Sequence, residues 1–242
     1  MGAIKHHRPL PLLLLVVLFF SAAPLAAATR TEVTILLSHE AARPGETITA
    51  GIRLRAPAGW HTYWKYAGDS GEPTSVAWTL PSSLTASELL WPLPEKLIEV
   101  GFSTYIYEGE VILLAPITIA AGAPAGSAAL RAKVAWQECE KVCVMGQTEV
   151  TANLVIGTES RPSANAALLA SWRDRVPMPQ PTLKVAADWE KPATENPRPL
   201  TIAWPAAAGA KILDEVIPHR RCHLLVVRGG FEVAGDMAAV AA

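Results

Sequence analysis

Residues Arg131–Gly157 read RAKVAWQECEKVCVMGQTEVTANLVIG. Apolar and polar residues alternate on both flanks, which predicts a strand over Ala129–Trp136 and a returning strand over Thr148–Ile156. Between them lie Cys139 and Cys143, four residues apart. In a single extended strand their Cα atoms would stand about 13 Å apart, at a rise of ~3.3 Å per residue. A disulfide needs about 4.4–6.8 Å. A bridged pair therefore requires Glu140-Lys141-Val142 to turn, as a tight hairpin loop or as one turn of helix. The flanking alternation favours the hairpin.

The residues leave three uses for the pair open. A bridge over three residues removes little entropy from the unfolded chain, so a stability staple is the weaker use. Opening and closing by thiol–disulfide exchange suits a short, turn-confined ring better. Exchange needs a thiolate, which Lys141 between the sulfurs would favour and Glu138 and Glu140 would oppose. Metal binding is the third use: Cys139, Cys143 and Met145 are soft ligands within seven residues, a set that suits Cu(I). No histidine lies in that cluster, and His61 is distant in sequence and reads as a structural residue.

The chain of 242 residues opens like an exported protein. Lys5, His6, His7 and Arg8 form a basic region, Leu10–Phe20 is almost wholly apolar, and Ala26-Ala27-Ala28 fits a signal-peptidase site. The apolar run is too short to span a bilayer, which takes about 20 residues. The mature chain is expected to start near Thr29. Net charge is −1 with no basic stripe, so nothing points to nucleic acid. Three cysteines in an exported chain leave one, Cys222, without an assigned role.

Taken in order, the mature chain reads as all-β. Strands are expected at Thr31–Leu37, Thr47–Arg55, Val76–Leu80 and Ile106-Tyr107, with Glu110–Ile119 holding Pro116 at an edge or bulge. Short strands at even spacing between Gly/Pro turns indicate a β-sandwich. Gly59–Tyr66 is rich in aromatics; Trp60, Tyr63 and Trp64 are expected to pack a core or support the cysteine hairpin rather than to form a docking surface. Asp69 and Glu72, in the Gly68–Gly71 region, read as a solvated turn. Ala166–Arg175 is the best helix candidate, stopped by Pro177. Leu183–Trp189, Leu200–Trp204 and His223–Val227 are strand candidates, and Lys211–Ile217 a turn of helix. The expected divisions are a signal peptide over 1–28, a sandwich over 29–158, and over 159–242 a linker, a small, incomplete β-rich unit and a frayed tail.

Four stretches, PAGWHTYWKYAGDSGEPTSVAWTLP, WPLPEKL, the segment from Gly101-Phe102 through Tyr105-Ile106-Tyr107-Glu108-Gly109-Glu110-Val111, and VAWQECEKVCVMG, occur in that order. Together they resemble the N-terminal periplasmic domain of DsbD/ScsB-type thiol:disulfide interchange proteins, also described as the disulfide bond corrector type. The likeness runs over roughly 30–157. It implies an immunoglobulin-like sandwich with the reactive pair on an edge hairpin. It implies a Cys139–Cys143 dithiol/disulfide that needs no cofactor, takes electrons from a membrane-embedded electron-donor domain or protein, and reduces periplasmic thioredoxin-like proteins. Cys143 matches the cysteine that attacks partner disulfides and Cys139 the resolving one. Val100–Tyr107 occupies the place of a shielding loop, with Phe102 as first cap candidate and Tyr105 as second. Three features depart from the family: Val144-Met145-Gly146 follows the second cysteine where a proline is common, no membrane domain or thioredoxin-like domain follows, and the end, PHRRCHLLVVRGGFEVAGDMAAVAA, does not read like the family continuation. A stand-alone module or a truncated gene is expected.

Overall fold

The computed structural model describes Gly2, residues 30–177 and four short strands beyond them. The rest of the expected signal peptide with its site at Ala28, the segment Lys211–Ile217, Cys222 and the expected C-terminal tail lie outside the described residues. In chain order the elements begin with β1 (Glu32–Leu37), β2 (His39–Ala42), β3 (Thr47–Arg55), β4 (His61–Gly68), β5 (Ser75–Thr79) and β6 (Leu84–Ala86). They continue with β7 (Glu95–Glu99), β8 (Phe102–Glu108), β9 (Glu110–Ile119), β10 (Gly126–Cys139), β11 (Cys143–Ile156), β12 (Arg161–Pro162) and the helix α1 (Ala166–Arg173). The last four strands, β13 (Ala186–Trp189), β14 (Leu200–Ala203), β15 (His223–Val227) and β16 (Gly230–Ala234), form a separate sheet in the order β13-β14-β16-β15.

The other strands make a sandwich. One sheet runs β1-β3-β9-β6; the other runs β12-β2-β11-β10-β4-β8-β7, with β5 added to β10. The period of two decides what lies between them. On β3, Ile48, Ala50, Ile52 and Leu54 face inward; on β10, Ala128, Leu130, Ala132, Val134 and Trp136 do the same. Full burial of such a side chain stabilises by about 1.5–3 kcal/mol each.

β9 breaks the alternation for a physical reason. Val111, Ile112, Leu113, Leu114 and Ala115 are all buried because this strand is covered on both faces. α1 lies over its outer face, with Leu169 and Trp172 buried. Gly51 makes room for it: a Cβ there would come within 2.5 Å of Leu169 Cδ2. Leu169, Trp172 and Val176 join the main core, and the Leu93 amide donates to the Arg175 carbonyl at 3.1 Å. The packed core thus includes residues beyond the expected boundary at 158, as far as Val176. Pro116 sits inside β9 with its nitrogen on the side where β6 has ended and before the bridge of Leu90 to Leu114, so no ladder hydrogen bond is lost there.

β10 and β11 form a hairpin of two 14-residue strands paired without a bulge from Gly126↔Ile156 to Cys139↔Cys143. On its other side β11 pairs only at Val155 and Ile156 among the described residues. The hairpin is thus internal to the sheet through β10, and its tip is bordered by an open edge through β11.

Candidate redox site

The tip of that hairpin carries a disulfide. Cys139 and Cys143 oppose each other in the register with Cα atoms 4.2 Å apart, and their sulfurs are bonded. Glu140-Lys141-Val142 make the turn that the spacing demanded. Access to the two sulfurs differs: Cys139 is 3 % exposed, whereas Cys143 stands in solvent.

Cys139 is buried on the face of the sheet that points away from the main core. Its neighbour Glu138 points inward, because successive residues of a strand face opposite ways. Outside, Cys139 packs in a small cluster with Tyr63, Ala67 and Ile106, flanked by Leu97. β4 supplies two of these through an irregularity. It pairs Tyr63 with Ile106 and Gly68 with Thr104, so Trp64–Ala67 bulge out of register. Trp64 turns into the main core while Tyr63 and Ala67 remain over the sulfur.

Tyr63 Oη donates to Cys139 Sγ at 3.0 Å and stands 4.0 Å from Cys143 Sγ. His61 lies opposite Cys139 on β4, its Nε2 3.3 Å from Tyr63 Oη and its ring edge-on to the phenol, centroids 5.2 Å apart. Burial holds the His61 imidazole below its ordinary pKa against the opposing charges of Glu99 and Glu108; burial, helped by Glu99, pushes the Tyr63 phenol up. The loop after β4 fixes the phenol in place. Gly71 (φ +103) touches the Tyr63 ring so closely that a Cβ would come within 2.3 Å of it.

Glu138 is fully buried and charged-form hydrogen-bonded. Its carboxylate accepts from the backbone amides of Arg30 and Thr31 and from Trp136 Nε1 at 3.0 Å. Burial alone would raise its pKa; the donors from Thr31, Trp136 and Arg30 outweigh it and hold the group low. Arg30 also lies over the Trp60 ring, 5.3 Å from its centroid. The start of the expected mature chain is thus pinned beneath the cysteine hairpin. Of the three charges weighed as thiol neighbours, Glu138 faces the wrong way, and Lys141 pairs with Glu140 at 4.0 Å at the exposed tip.

The other expected residues fall as follows. Trp60, Tyr63 and Trp64 are all buried. Asp69 is a clamp: its Oδ2 accepts from the Ser103 amide at 2.9 Å and its own amide donates to the Ser103 carbonyl at 2.9 Å. Glu72 is tied through its amide to Gln137 Oε1 at 2.8 Å. Phe102 lies on the sulfur's face of the sheet, in line with Thr104 and Ile106, and is 55 % exposed. Tyr105, the second cap candidate, points the other way; it is buried in the main core 6.1 Å from the Trp64 ring, which removes it from the site. The cause is again the strand period, which sends residues 102, 104 and 106 to one face and 105 and 107 to the other. Met145 is exposed and shares a face with Cys143, two residues away. Among the described residues no three His, Cys, Asp or Glu side chains cluster as a metal site.

The sequence offered Tyr63, with Trp60 and Trp64, as core packing or support for the cysteine hairpin, and it did not offer His61 as a neighbour of the sulfur. The signal was there in form: i and i+2 on a strand share a face. What was absent was the knowledge that β4 lies beside Cys139.

The chain belongs to the family of the N-terminal domain of thiol:disulfide interchange protein DsbD, whose model matches residues 32–154. Its fold is immunoglobulin-like, similar to the N-terminal periplasmic domain of ScsB from Proteus mirabilis at TM-score 0.55 and 16 % identity, over 85 % of this chain and 77 % of that one. The major pilin subunit BcpA of Bacillus cereus aligns at TM-score 0.34 and 16 % identity over 53 % of this chain and 41 % of its own, too loosely to compare sites. No curated protein matches. The family and the periplasmic fold match point to an exported protein, and no helix among the described residues is long and apolar enough to cross a membrane.

Proposed function

We propose that this chain is a periplasmic electron-relay module, released from its signal peptide near Ala28. The Cys139–Cys143 couple takes two electrons from a membrane-embedded donor domain or protein and passes them to periplasmic thioredoxin-like proteins. The observation that carries this reading is the asymmetry of the disulfide: Cys143 is open to attack and Cys139 is sheltered under Tyr63. A donor thiolate attacks Cys143 Sγ, the bond to Cys139 breaks, and a second donor thiol resolves the mixed disulfide to leave the dithiol. In the forward direction the Cys143 thiolate attacks a partner disulfide. Cys139 then attacks Cys143 Sγ, re-forms the ring and releases the reduced partner. The reaction needs no cofactor, because the electrons travel as thiols.

Trapping is the direct test. Cys139→Ala removes the resolving sulfur, so mixed disulfides through Cys143 should accumulate in periplasmic extracts and disappear in the Cys143→Ala variant. Failure of both single variants to capture any thioredoxin-like protein sinks the relay.

Phe102 acts as the cap in this reading, since it shares the sulfur's face on a hairpin that Asp69 holds down. Phe102→Ser should leave the melting temperature within a degree or two and speed reduction of the disulfide by small dithiols severalfold. An unchanged rate would make Phe102 a bystander. Because Cys139, Cys143 and Met145 project from one face, Cu(I) capture by the reduced protein is the competing reading. Stoichiometric Cu(I) binding in titration favours it, and its absence eliminates it.

A further inference from the structure

Tyr63 gives its only proton to Cys139 Sγ, because a disulfide sulfur can accept and cannot donate. His61 Nε2, at 3.3 Å, must then be the donor to Tyr63 Oη. In this structure the hydrogen bonds run one way, from His61 to Tyr63 to the buried sulfur. All three groups are shielded: His61 is 8 % exposed, Tyr63 4 % and Cys139 3 %. Water has little access to the sulfur that must leave as a thiolate, so its proton has to come through protein.

We infer that His61 and Tyr63 form a proton relay to Cys139, with Tyr63 as the catalytic group touching the sulfur and His61 as the residue that positions and recharges it. The inference rests on the exchange reading above and adds to it the route of the proton. When a thiolate attacks Cys143 Sγ, a new S–S bond forms and the Cys139–Cys143 bond breaks, leaving its electron pair on Cys139. Tyr63 passes its proton to that thiolate as His61 Nε2 passes one to Tyr63. His61 enters this step protonated on both ring nitrogens, so loss of the Nε2 proton leaves a neutral ring with Nδ1–H and charge balances. The route reverses when the Cys139 thiol must ionise to resolve a mixed disulfide: Sγ–H gives to Tyr63, and Tyr63 to His61 Nε2. The groups around the imidazole are Tyr63 on its own strand, Glu108 on β8, Glu99 on β7 and Cys139 on β10. Both carboxylates favour the protonated ring that the relay needs, and Glu138 on β10 faces the opposite side.

The test uses the full mature chain and dithiothreitol, a reductant too small to depend on partner docking. Rates of disulfide reduction from pH 5 to 9 are divided by the thiolate fraction of the reductant. In the wild-type protein the corrected rate should rise as pH falls through the His61 pKa, on the order of tenfold in total, as general-acid assistance to a leaving thiolate requires. Exchange runs faster when the leaving thiolate is better stabilised, and a proton donor held on Cys139 Sγ supplies that stabilisation. His61→Gln should flatten that profile. Tyr63→Phe, which keeps the ring packing, should flatten it too although the imidazole remains, an effect a merely structural histidine would not produce. A flat wild-type profile, or an inflection that survives in either folded variant, overturns the relay. The two ideas fail separately. Loss of partner trapping with the pH inflection intact removes the physiological role and leaves the relay, whereas normal trapping with a flat profile does the reverse.

Discussion

At the scale of single residues, the hairpin depends on a carboxylate that never touches the sulfurs. Glu138 is charged, wholly buried and satisfied by the Arg30 and Thr31 amides and the Trp136 indole. Removing a buried, hydrogen-bonded charge leaves its donors orphaned, at about 1–3 kcal/mol. Glu138→Ala should therefore lower stability by roughly that amount in denaturant melts and free the Arg30 and Thr31 amides to exchange their protons. The pH sign follows from the direction of the shift. A carboxylate held below its unfolded value of about 4.3 contributes fully above that pH and loses its contribution as pH falls toward the folded value. Wild-type stability should thus fall between about pH 5 and pH 3 more steeply than that of Glu138→Gln. Equal slopes would mean that the group is not ionised in the fold. The sequence offered Glu138 as a thiol neighbour, and one fact reverses that role: adjacent strand residues face opposite sides.

At the scale of elements, two loops aim the site. Gly71 sits at φ +103 against the Tyr63 ring, where any side chain both strains the backbone and displaces the phenol. Gly71→Ala should cost about 1–3 kcal/mol and, unlike a remote destabilising change, also slow disulfide reduction by moving Tyr63 Oη off Cys139. Melting and dithiothreitol kinetics on the same preparation separate the two effects. The β7–β8 turn carries the opposite irregularity. Val100, 97 % exposed, takes a left-handed φ of 50 before Gly101 at φ 84, a position that favours Asn and disfavours a β-branched residue. Val100→Asn should raise stability by about 1 kcal/mol, with an unchanged melt arguing against that turn geometry. The hairpin that bears the cysteines was legible because its two flanks alternate. β4 was not legible: His61–Gly68 holds apolar and aromatic residues without a period, since it bulges and feeds two cores.

At the scale of the whole molecule, the sandwich is closed by an element that the sequence set outside it. α1 was recognised as a helix, but its partner surface was not. The partner is the outer face of β9, beside which Gly51 of the neighbouring β3 leaves room for Leu169. Leu169→Ala should cost about 2–5 kcal/mol in denaturant melts, as for other large-to-small core changes. A chain ending at 158 should melt earlier than one ending at 177 by a comparable margin. Equal melts would leave the boundary at 158.

Local pattern was enough for the all-β class, most strand positions and the turn at Glu140-Lys141-Val142, because strand period and turn chemistry are properties of neighbouring residues. The distance constraint on a disulfide then made a hairpin the only strand arrangement that could close the ring. Tertiary structure alone decided which sulfur is sheltered, that Tyr63 and His61 stand over it, that Tyr105 does not, and that the chain to Val176 belongs to the same core. Each of those depends on which strands lie side by side, and contacts between residues some eighty positions apart leave no trace in the local sequence.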